Sequence, residues 1–555
     1  MKEKWWKKAI VYQMYPKSFQ DTNGDGIGDL QGVIKRMNYL NELGVNVIWL
    51  CPINESPMKD NGYDIADYYK VDSSFGTNED FEEVIKCAGK YGIKIVMDLV
   101  VNHCSDQHMW FKEAVKNPNS KYSSYFIIEE TQGAEPNNLR CYNGSSAWER
   151  IEDSNRFYFH AFSKEQPDLN WENENLRKEI IDMMKFWQEK GVAGFRIDAI
   201  GNIKKSKETF ERKIFTADGK DGRVSIDNFV LAQDGIQEYL KELRDEVFEK
   251  HDMMTVAEIS VPEENLAEFI GKDGLFSMVF DFSYTDIDIE KRDGQEWKIN
   301  WTMKKLKENI FASQNMLQKH GWASPYLENH DQPRSVNKYL PKNDLSYESK
   351  TALGTLYFFL RGTPFIYQGQ ELGMENYPFE KIEEIRDPFA IDRYEQAKKC
   401  GADTKKVIDY FRERGRDNSR TPMQWDNSKH AGFSTSMPWI LENPNYLILN
   451  AKNEMENDKS VFHYYKEMIY LRSKSKYSDT LTFGNFDAID TLEDEFFCYK
   501  RYDNKFEIIV MVNLGNKEIE IPIALRNREV LLNNRIENQS TLMPYQSIVT
   551  VQINK

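Results

Sequence analysis

Short apolar runs alternate with amphipathic stretches along most of the chain. We identify eight runs as strands, at residues 9–16, 45–52, 93–101, 191–200, 253–260, 276–283, 322–331 and 362–371. Between them, stretches such as LQGVIKRMNYLNELG and IQEYLKELRDEVFEK place apolar residues at the spacings of three and four that an amphipathic helix requires. Strands that alternate with helices in this way predict an α/β fold, a (β/α)8 TIM barrel.

Two segments break the alternation and predict additional domains. Residues 104–173 are aromatic, polar and rich in turns. They are too long for an ordinary loop and indicate a subdomain inserted after the third strand. Residues 479–555 instead contain apolar or alternating runs such as KFEIIVMVNL between polar turns. These runs predict a C-terminal antiparallel β domain of the sandwich type, which leaves residues 1–103 and 174–478 for the barrel.

Composition and charge exclude several classes of protein. The 555 residues carry a formal charge of -16, which argues against nucleic acid or an anionic membrane surface as a partner. The apolar run near the N-terminus is interrupted by Gln13 and Pro16 and has no cleavage site, and no 18-residue apolar window occurs. The six cysteines are scattered without a CxxC pair, as expected of free thiols in a reducing compartment. We expect a cytoplasmic monomer.

The predicted fourth strand contains two charges in an otherwise apolar run. In GFRIDAI, residues 194–200, Arg196 and Asp198 lie two positions apart and therefore face the same side of the strand. A buried ion pair contributes little stability because both charges lose their hydration. The pattern therefore favours a functional role for both side chains over a purely structural salt bridge.

Acidic and histidine side chains stand at the carboxyl ends of several predicted strands. In TIM barrels the catalytic groups come from these ends. The residues are Asp98, His103, Asp198, Glu258, His330 and Asp331. An Asp at one strand end could equally be a helix N-cap, and a lone His a structural hydrogen-bonding group, but their coincidence over several strands favours a site. Several carboxylates with few cations indicate glycoside hydrolysis, which needs one ionised and one protonated carboxyl group.

Five motifs resemble the conserved regions of glycoside hydrolase family 13, the α-amylase family, in the family's order. They are DLVVNH (98–103), QPDLN (166–170), GFRIDAI (194–200), TVAEI (255–259) and ENHDQPR (328–334). The opening WWKKAIVYQMYPKSFQDTNGDGIGDLQGV, with NGYDIADYY (61–69) and GRDNSRTPMQWD (415–426), resembles the oligo-1,6-glucosidase and α-glucosidase branch. The similarity extends over essentially the whole chain.

The resemblance implies a role for each member of the acidic triad. Asp198 is expected to be the nucleophile, Glu258 the general acid and later base, and Asp331 the residue that stabilises the transition state. Retention of configuration then follows, with two carboxyl groups about 5 to 5.5 Å apart. Arg196 is expected to keep Asp198 ionised, because a nearby cation lowers the pKa of a carboxyl group.

The same resemblance implies a set of glucose-binding residues. His103 and His330 are expected to hydrogen-bond glucose hydroxyls, and the same subsite is expected to be lined by Tyr63, Phe162 and Gln166. Asp64 and Arg416 are expected to bind the non-reducing end, which would make the enzyme exo-acting. Arg420, four residues beyond Arg416, is an alternative to it, and a solvated loop is the competing interpretation of this segment.

An acidic loop near the N-terminus predicts a calcium ion. DTNGDGIGD, residues 21–29, spaces its oxygen ligands as an EF-hand loop does, but its twelfth position is Gly32 instead of the bidentate Glu. The missing ligand argues against a calcium sensor. The family implies one structural Ca²⁺ and no organic cofactor, and the competing interpretation is an Asx-rich turn without a metal. The expected ligands are Asp21, Asn23, Asp25, the Ile27 carbonyl and Asp29.

Three positions depart from the family pattern. Ala199 follows the nucleophile where α-1,6-cleaving relatives usually have Val, and this favours α-1,4 linkages in maltose and short maltooligosaccharides without excluding isomaltose. Asn143 stands where relatives usually have Phe, which alters the predicted aromatic wall near the cleavage point. Cys104 replaces the usual Thr or Ser after His103 and is a candidate for sensitivity to oxidation.

The predicted activity is that of an exo-acting α-glucosidase on small oligosaccharides. Oligo-1,6-glucosidases, sucrose isomerases and trehalose-6-phosphate hydrolases share the same catalytic set, although no basic cluster suited to a phosphate is evident. A different class, the non-catalytic heavy subunits of amino-acid transporters, resembles this fold but carries a transmembrane helix and has lost parts of the triad. All three acids are present here, which favours an enzyme.

Overall fold

Seven parallel strands form a curled sheet in the computed structural model, which describes residues 3–292, 295–399, 401–535 and 540–554. The strands are β1 (Val11–Met14), β2 (Val47–Leu50), β3 (Lys94–Val100), β4 (Gly194–Asp198), β5 (Met254–Ala257), β6 (Met278–Val279) and β7 (Phe365–Tyr367). Their order in the sheet is β6-β5-β4-β3-β2-β1-β7. The predicted TIM barrel is confirmed in the order and direction of these strands.

The predicted seventh strand is instead a single bridge. Residues 322–331 contribute one parallel bridge, Val279 to Ala323, next to β6. On the other side, Thr363 N donates to Ala323 O at 2.9 Å and Phe365 N donates to Pro325 O at 2.9 Å. Because Pro325 has no N–H, this segment cannot donate a full ladder. It nevertheless closes the ring between β6 and β7.

Helices follow most of the barrel strands, as the apolar spacing predicts. The longer ones are α1 (Leu30–Leu43), α2 (Asn78–Lys90), α3 (Glu174–Glu189), α4 (Ile236–Leu243), α5 (Met303–His320), α6 (Tyr347–Phe358) and α7 (Val461–Ser473). Helix α2 begins at a capping box between Thr77 and Asp80 and buries Phe81, Val84 and Ala88 on one face. Further helices are Met109–Lys116, Asp227–Val230, Leu266–Ile270, Ser335–Tyr339, Pro388–Lys399, Thr404–Arg414, Asp417–Arg420, Ala451–Glu456 and Ser478–Phe483.

The segment predicted as an insertion forms small sheets of its own. Strands Ile128–Glu130, Trp148–Arg150 and Arg156–Phe159 form an antiparallel sheet. Leu139–Arg140 pairs with Val224–Ser225, from the long loop after β4. The insertion therefore shares its apolar core with residues 224–230, a contact that the sequence pattern did not indicate.

A five-stranded antiparallel sheet lies at the C-terminal end, as predicted. Its strands are β8 (Asn485–Ala488), β9 (Phe496–Tyr502), β10 (Phe506–Asn513), β11 (Glu529–Asn533) and β12 (Ser547–Ile553). Smaller pairs are Asn54–Glu55 with Asp67–Val71, Ile289–Arg292 with Gln295–Lys298, and Ile519–Glu520 with Thr541–Leu542. Among the described residues, no helix combines the length and the apolar character needed to cross a membrane.

The cysteines are free thiols wherever the structure describes them. These are Cys51, Cys87, Cys104, Cys141 and Cys498. Cys400 lies outside the described residues. Burial raises the pKa of the Cys104 thiol well above its usual value, so this side chain is a neutral, inaccessible group beside His103.

Candidate active site

Arg196 on β4 contacts three carboxylates at the carboxyl end of the barrel. Its Nη1 donates to Asp198 Oδ1 at 2.7 Å and to Asp98 Oδ1 at 2.9 Å. Its Nη2 lies 2.8 Å from Glu258 Oε2. The guanidinium is buried, so the two charges noted in GFRIDAI belong to a convergent group of acids and not to an isolated ion pair.

The parallel register explains why these residues meet. Arg196 pairs with Asp98 across β3 and β4, and Glu258 N donates to Ile197 O at the end of β5. After Asp198 the chain turns sharply at Ala199, whose φ of 41° is in the left-handed region. This conformation costs an Ala about 1 kcal/mol. The turn directs Ala199 N toward Glu258 Oε2, 3.0 Å away.

Asp331 is held by a histidine and two arginines instead. Arg420 Nη2 donates to its Oδ1 at 2.9 Å, His330 Nε2 lies 2.9 Å from its Oδ2, and Arg416 Nη1 lies 3.6 Å from its Oδ1. Burial opposes ionisation, but His330 and the two guanidinium groups outweigh it and hold the pKa of Asp331 well below its usual range. Asp331 is therefore an anion over the whole physiological pH range.

Asp198 and Glu258 behave differently from Asp331. Burial raises the pKa of Asp198 to about 7, against the opposite effect of Arg196 and with a further increase from Asp98. Burial also raises the pKa of Glu258. Arg196 lowers the pKa of Asp198 as expected, but burial and Asp98 outweigh it, because one guanidinium cannot neutralise three buried carboxylates. The group holds a proton near neutral pH, as a nucleophile and an acid in one site require.

The predicted glucose-binding side chains surround the triad. The rings of His103 and Phe162 are 5.0 Å apart, and those of Tyr63 and His330 stack at 5.2 Å. Tyr63 Oη donates to Asp98 Oδ2 at 3.0 Å, and Gln166 Nε2 donates to the Tyr63 carbonyl at 3.2 Å. The structure therefore brings these five side chains together beside the acids. Their contacts with sugar remain predictions.

Asp64 and Arg416, which are expected to bind one end of the sugar together, have separate protein partners in the structure. Asp64 is fully buried, and its carboxylate accepts hydrogen bonds from Lys59 N, Asp60 N and Ser56 Oγ. Arg416 Nη2 instead donates to Asp387 Oδ1 at 2.5 Å and to Asp60 Oδ1 at 3.4 Å. The acids that contact Arg416 are therefore Asp387, Asp60 and Asp331.

A tight turn explains why Asp64 binds backbone amides. Asn61 and Gly62 both have positive φ, which folds the chain back so that the Asp64 carboxylate binds the amides before it. Sequence reasoning also missed other groups in or behind the site. They are Gln13, Asp60, Asn102, Asp168, Lys205 and Asp387. No sequence motif marks Asp387, because its contact with Arg416 exists only once the two loops have folded together.

The predicted calcium ligands lie in one short loop whose carboxylates bind the loop's own amides. Asp21 accepts from Gly24 N at 2.7 Å and Gly26 N at 2.9 Å, and Asp29 caps helix α1 through Gly32 N at 2.6 Å. No group of three or more His, Cys, Asp or Glu side chains suited to a metal occurs in the described part of the chain. The donor types suit Ca²⁺, but their arrangement here is that of an Asx-rich turn. The ion remains a prediction.

Three buried carboxyl groups lie at the strand ends of a TIM barrel. Asp198 and Glu258 have raised pKa values, and Asp331 is ionised. This combination is that of a glycoside hydrolase. Residues 13–480 match the family described as alpha amylase, catalytic domain. The chain therefore belongs to the α-amylase family, glycoside hydrolase family 13.

Similar proteins cover the whole length of the chain. An oligo-1,6-glucosidase of Bacillus cereus is 42% identical, with 99% of each chain covered. A glucan 1,6-alpha-glucosidase of Streptococcus pneumoniae is 41% identical, with 96% of each covered. The crystal structure of a Bacillus licheniformis trehalose-6-phosphate hydrolase mutant superposes with a TM-score of 0.91 at 38% identity, covering 100% of both chains.

Proposed function

We propose that the protein is a retaining, exo-acting α-glucosidase that removes terminal glucose from short oligosaccharides. The observation that supports this most directly is the placement of Asp198 and Glu258 on the two terminal nitrogens of Arg196. Two carboxyl groups bound to one guanidinium are close together, as a retaining mechanism requires.

In the proposed mechanism, the acids act in two displacements. The Asp198 carboxylate attacks the anomeric carbon while Glu258 gives its proton to the departing glycosidic oxygen, which leaves a β-glucosyl ester on Asp198. Glu258, now ionised, takes a proton from water, and that water attacks the same carbon and releases α-glucose and free Asp198. Asp331, ionised throughout, stabilises the positive charge that develops on the sugar ring.

Exo action is proposed from the charged groups beyond Asp331. Arg416 and Asp60 form an ion pair, and Asp387 holds the same guanidinium. We assign this group to the hydroxyls of the non-reducing glucose, whose directional hydrogen bonds to charged side chains would fix one sugar end. A chain end bound in this way permits removal of one glucose at a time.

The linkage preference is proposed from Ala199. Its small side chain stands directly after the nucleophile, and by family resemblance this favours α-1,4 over α-1,6 linkages. Similar proteins are named oligo-1,6-glucosidase and glucan 1,6-alpha-glucosidase, which makes α-1,6 cleavage the second candidate. Maltose is therefore the expected substrate, with isomaltose next.

A time course with maltose, isomaltose, sucrose and trehalose-6-phosphate tests this proposal. Every sugar product and the anomer of the first glucose released would be resolved. Rapid release of α-glucose from maltose supports both retention and the α-1,4 preference. Faster cleavage of isomaltose rejects the linkage preference alone, whereas initial release of β-glucose rejects the retaining mechanism.

A further inference from the structure

A buried cation lies behind the proposed sugar pocket. Lys205 Nζ lies 2.6 Å from Asp168 Oδ2 and donates to Asn102 Oδ1 at 3.0 Å. It also donates to the Asn202 carbonyl. The side chains of Lys205 and Asp168 are 3% and 0% exposed. Lys205 thereby joins the loops after β3 and β4 to the insertion, without touching any of the three catalytic acids.

The neighbours of Asn102 determine which way its amide points. The ammonium group of Lys205 has only hydrogens to give, so the Asn102 atom that faces it is Oδ1. The carboxylate of Asp168 can only accept, so the atom that faces it, at 3.2 Å, is Nδ2. Both partners are charged and buried, and both require the same orientation of the amide.

The oriented amide in turn determines the tautomer of His103. Asn102 Nδ2 lies 3.2 Å from His103 Nδ1, which must therefore accept. The ring proton is then on Nε2, which lies 3.0 Å from the Tyr63 carbonyl, an acceptor only. Gln166 Nε2 lies 3.1 Å from the same ring nitrogen, but its two hydrogens point to the Tyr63 carbonyl and to Asp60 Oδ2.

The imidazole is neutral at working pH, so its tautomer decides which partner its single N–H can bind. Burial lowers the pKa of His103, Asp168 opposes this, and Lys205 adds to it. With its proton on Nε2 the ring donates to the Tyr63 carbonyl, whereas the other tautomer would turn a lone pair toward that oxygen. The tautomer therefore decides whether the ring is held against Tyr63, one of the predicted glucose-binding residues.

We propose that Lys205 is a positioning residue that acts through Asn102 to hold His103 as the Nε2–H tautomer. Its consequence for sugar binding rests on the proposed function, whereas the tautomer itself does not. Without the ammonium, the Asn102 amide is free to turn by half a rotation and face His103 with Oδ1. The ring proton then moves to Nδ1, and the hydrogen bond that holds the ring against the Tyr63 carbonyl is lost.

The test measures the tautomer and the activity in the same proteins. Protein labelled with ¹⁵N only in histidine gives the ring tautomers by NMR, and a His103→Gln sample identifies the His103 signals by their absence. We expect Nε2–H in the wild-type protein and Nδ1–H in Asn102→Asp, which has the same shape but turns an acceptor toward the ring. The value of kcat/KM for maltose should fall about tenfold, equivalent to about 1.4 kcal/mol.

Lys205→Met should give the same tautomer change, with Lys204→Met as the matched control. Lys204 contacts Glu172 and Tyr239 on the outer side, so its loss should leave both the tautomer and kcat/KM unchanged. Because Lys205→Met leaves Asp168 unpaired and could prevent folding, Asn102→Asp decides the question in that case.

The inference is overturned by an Nδ1–H tautomer of His103 in the wild-type protein, or by an Asn102→Asp protein that keeps the Nε2–H tautomer. If the tautomers change as expected but kcat/KM does not, the positioning role is rejected. If wild-type protein cleaves none of the four sugars, the proposed function fails, while the tautomer measurement still decides this inference.

Discussion

At the scale of single residues, the site separates its carboxyl groups by their neighbours. Asp331 faces His330 and two guanidinium groups, whereas Asp98, Asp198 and Glu258 share the single guanidinium of Arg196. The first arrangement ensures an anion, and the second retains a proton among buried acids. Residues of one chemical type thereby acquire the two different protonation states that glycoside hydrolysis uses.

Replacement of the nucleophile tests this assignment. Asp198→Asn removes the attacking oxygen but keeps the size of the side chain, so hydrolysis of p-nitrophenyl α-glucoside should fall about 10⁴-fold or more. Release of p-nitrophenol measures the rate, and a thermal melt confirms folding. Asp479→Asn, an exposed substitution at the N-terminal end of the chain's last α-helix, is the matched control. A variant that retains a tenth of the wild-type rate contradicts the mechanism.

Asp60 and Asp64 should respond to substitution in opposite ways. Asp60→Asn weakens a charged contact with Arg416 and should lower kcat/KM for maltose about 10- to 100-fold, with little change in melting temperature. Asp64→Asn places an amide NH₂ against backbone donors and should lower the free energy of unfolding by about 1–3 kcal/mol. Steady-state kinetics and urea denaturation of both variants check this. The reverse result supports the assignment of Asp64, and not Asp60, to the non-reducing glucose.

These two aspartates also show which parts of the site could be predicted from the sequence and which could not. The triad and its strand ends follow from local motifs, because a strand fixes the direction of its own side chains. Asp60 and Asp64 lie four residues apart in one short segment. Only the turn at Asn61 and Gly62 decides which of the two reaches Arg416. Lys205 gives no signal either, because its partner Asp168 belongs to another loop of the fold.

At the scale of elements, the apolar runs located every barrel strand but could not show how long each would be. Strand β6 has only two residues, and the segment after α5 pairs through one bridge. The run WASPYLENHD has the apolar character of a strand, but Pro325 and the contacts of its later residues with the site limit its ladder. Strand length depends on the neighbours, which the pattern does not contain.

A buried glutamate joins three elements of the barrel and should make stability depend on pH. Glu371, just after β7, accepts from Tyr12 on β1 at 2.9 Å and from Tyr39 on α1 at 2.7 Å. Burial raises its pKa to about 7. The folded protein thus binds this proton more tightly than the unfolded chain, so the contribution is favourable at low pH and is lost as pH rises from about 4.5 to about 7.

Glu371→Gln removes this titration while keeping an acceptor for both tyrosines. The variant should be more stable than wild type by about 1–3 kcal/mol at pH 8, and the difference should vanish below about pH 4.5. Urea denaturation at both pH values measures it. Glu380→Gln, on an exposed loop, is the control and should show no such difference. Equal stability of Glu371→Gln and wild type at pH 8 contradicts the raised pKa.

The loop of residues 21–29 should make the melting temperature depend on calcium. It packs against residues 433–437, since Asp21 N donates to Phe433 O and Ser434 Oγ donates to Asp21 Oδ2 at 2.5 Å. If the loop binds Ca²⁺ as predicted, EDTA lowers the melting temperature by several degrees and added Ca²⁺ restores it. Asp25→Ala should abolish the difference in melting temperature between the EDTA-treated and the Ca²⁺-loaded protein. An identical melt with and without EDTA favours the Asx-rich turn without a metal.

At the scale of the whole molecule, the barrel and the C-terminal sheet share a helix between them. Helix α6 is buried on all sides, because it contacts α7 as well as strands β10 and β12. A helix without a polar face requires partners on every side. The sequence shows the apolar helix, but only the structure shows which two layers cover it.

Arg501 on β9 should couple the stability of the two layers. Its buried guanidinium donates to the carbonyls of Phe359 and Leu481 at 3.0 and 2.6 Å, and to those of Thr482 and Gly484 at 3.2 and 2.8 Å. Arg501→Met removes all four hydrogen bonds, and of these carbonyls Leu481 keeps a donor in Arg472, so the free energy of unfolding should fall by about 3 kcal/mol or more. Because the acceptors follow α6 and α7 of the barrel, calorimetry should show one transition shifted downward, together with loss of activity at the same temperature.

Lys500→Met is the control, because Lys500 lies on the same strand but is partly exposed. This substitution should leave the temperature of the unfolding transition unchanged. A separate early transition that spares activity would mean that the C-terminal sheet unfolds independently of the barrel.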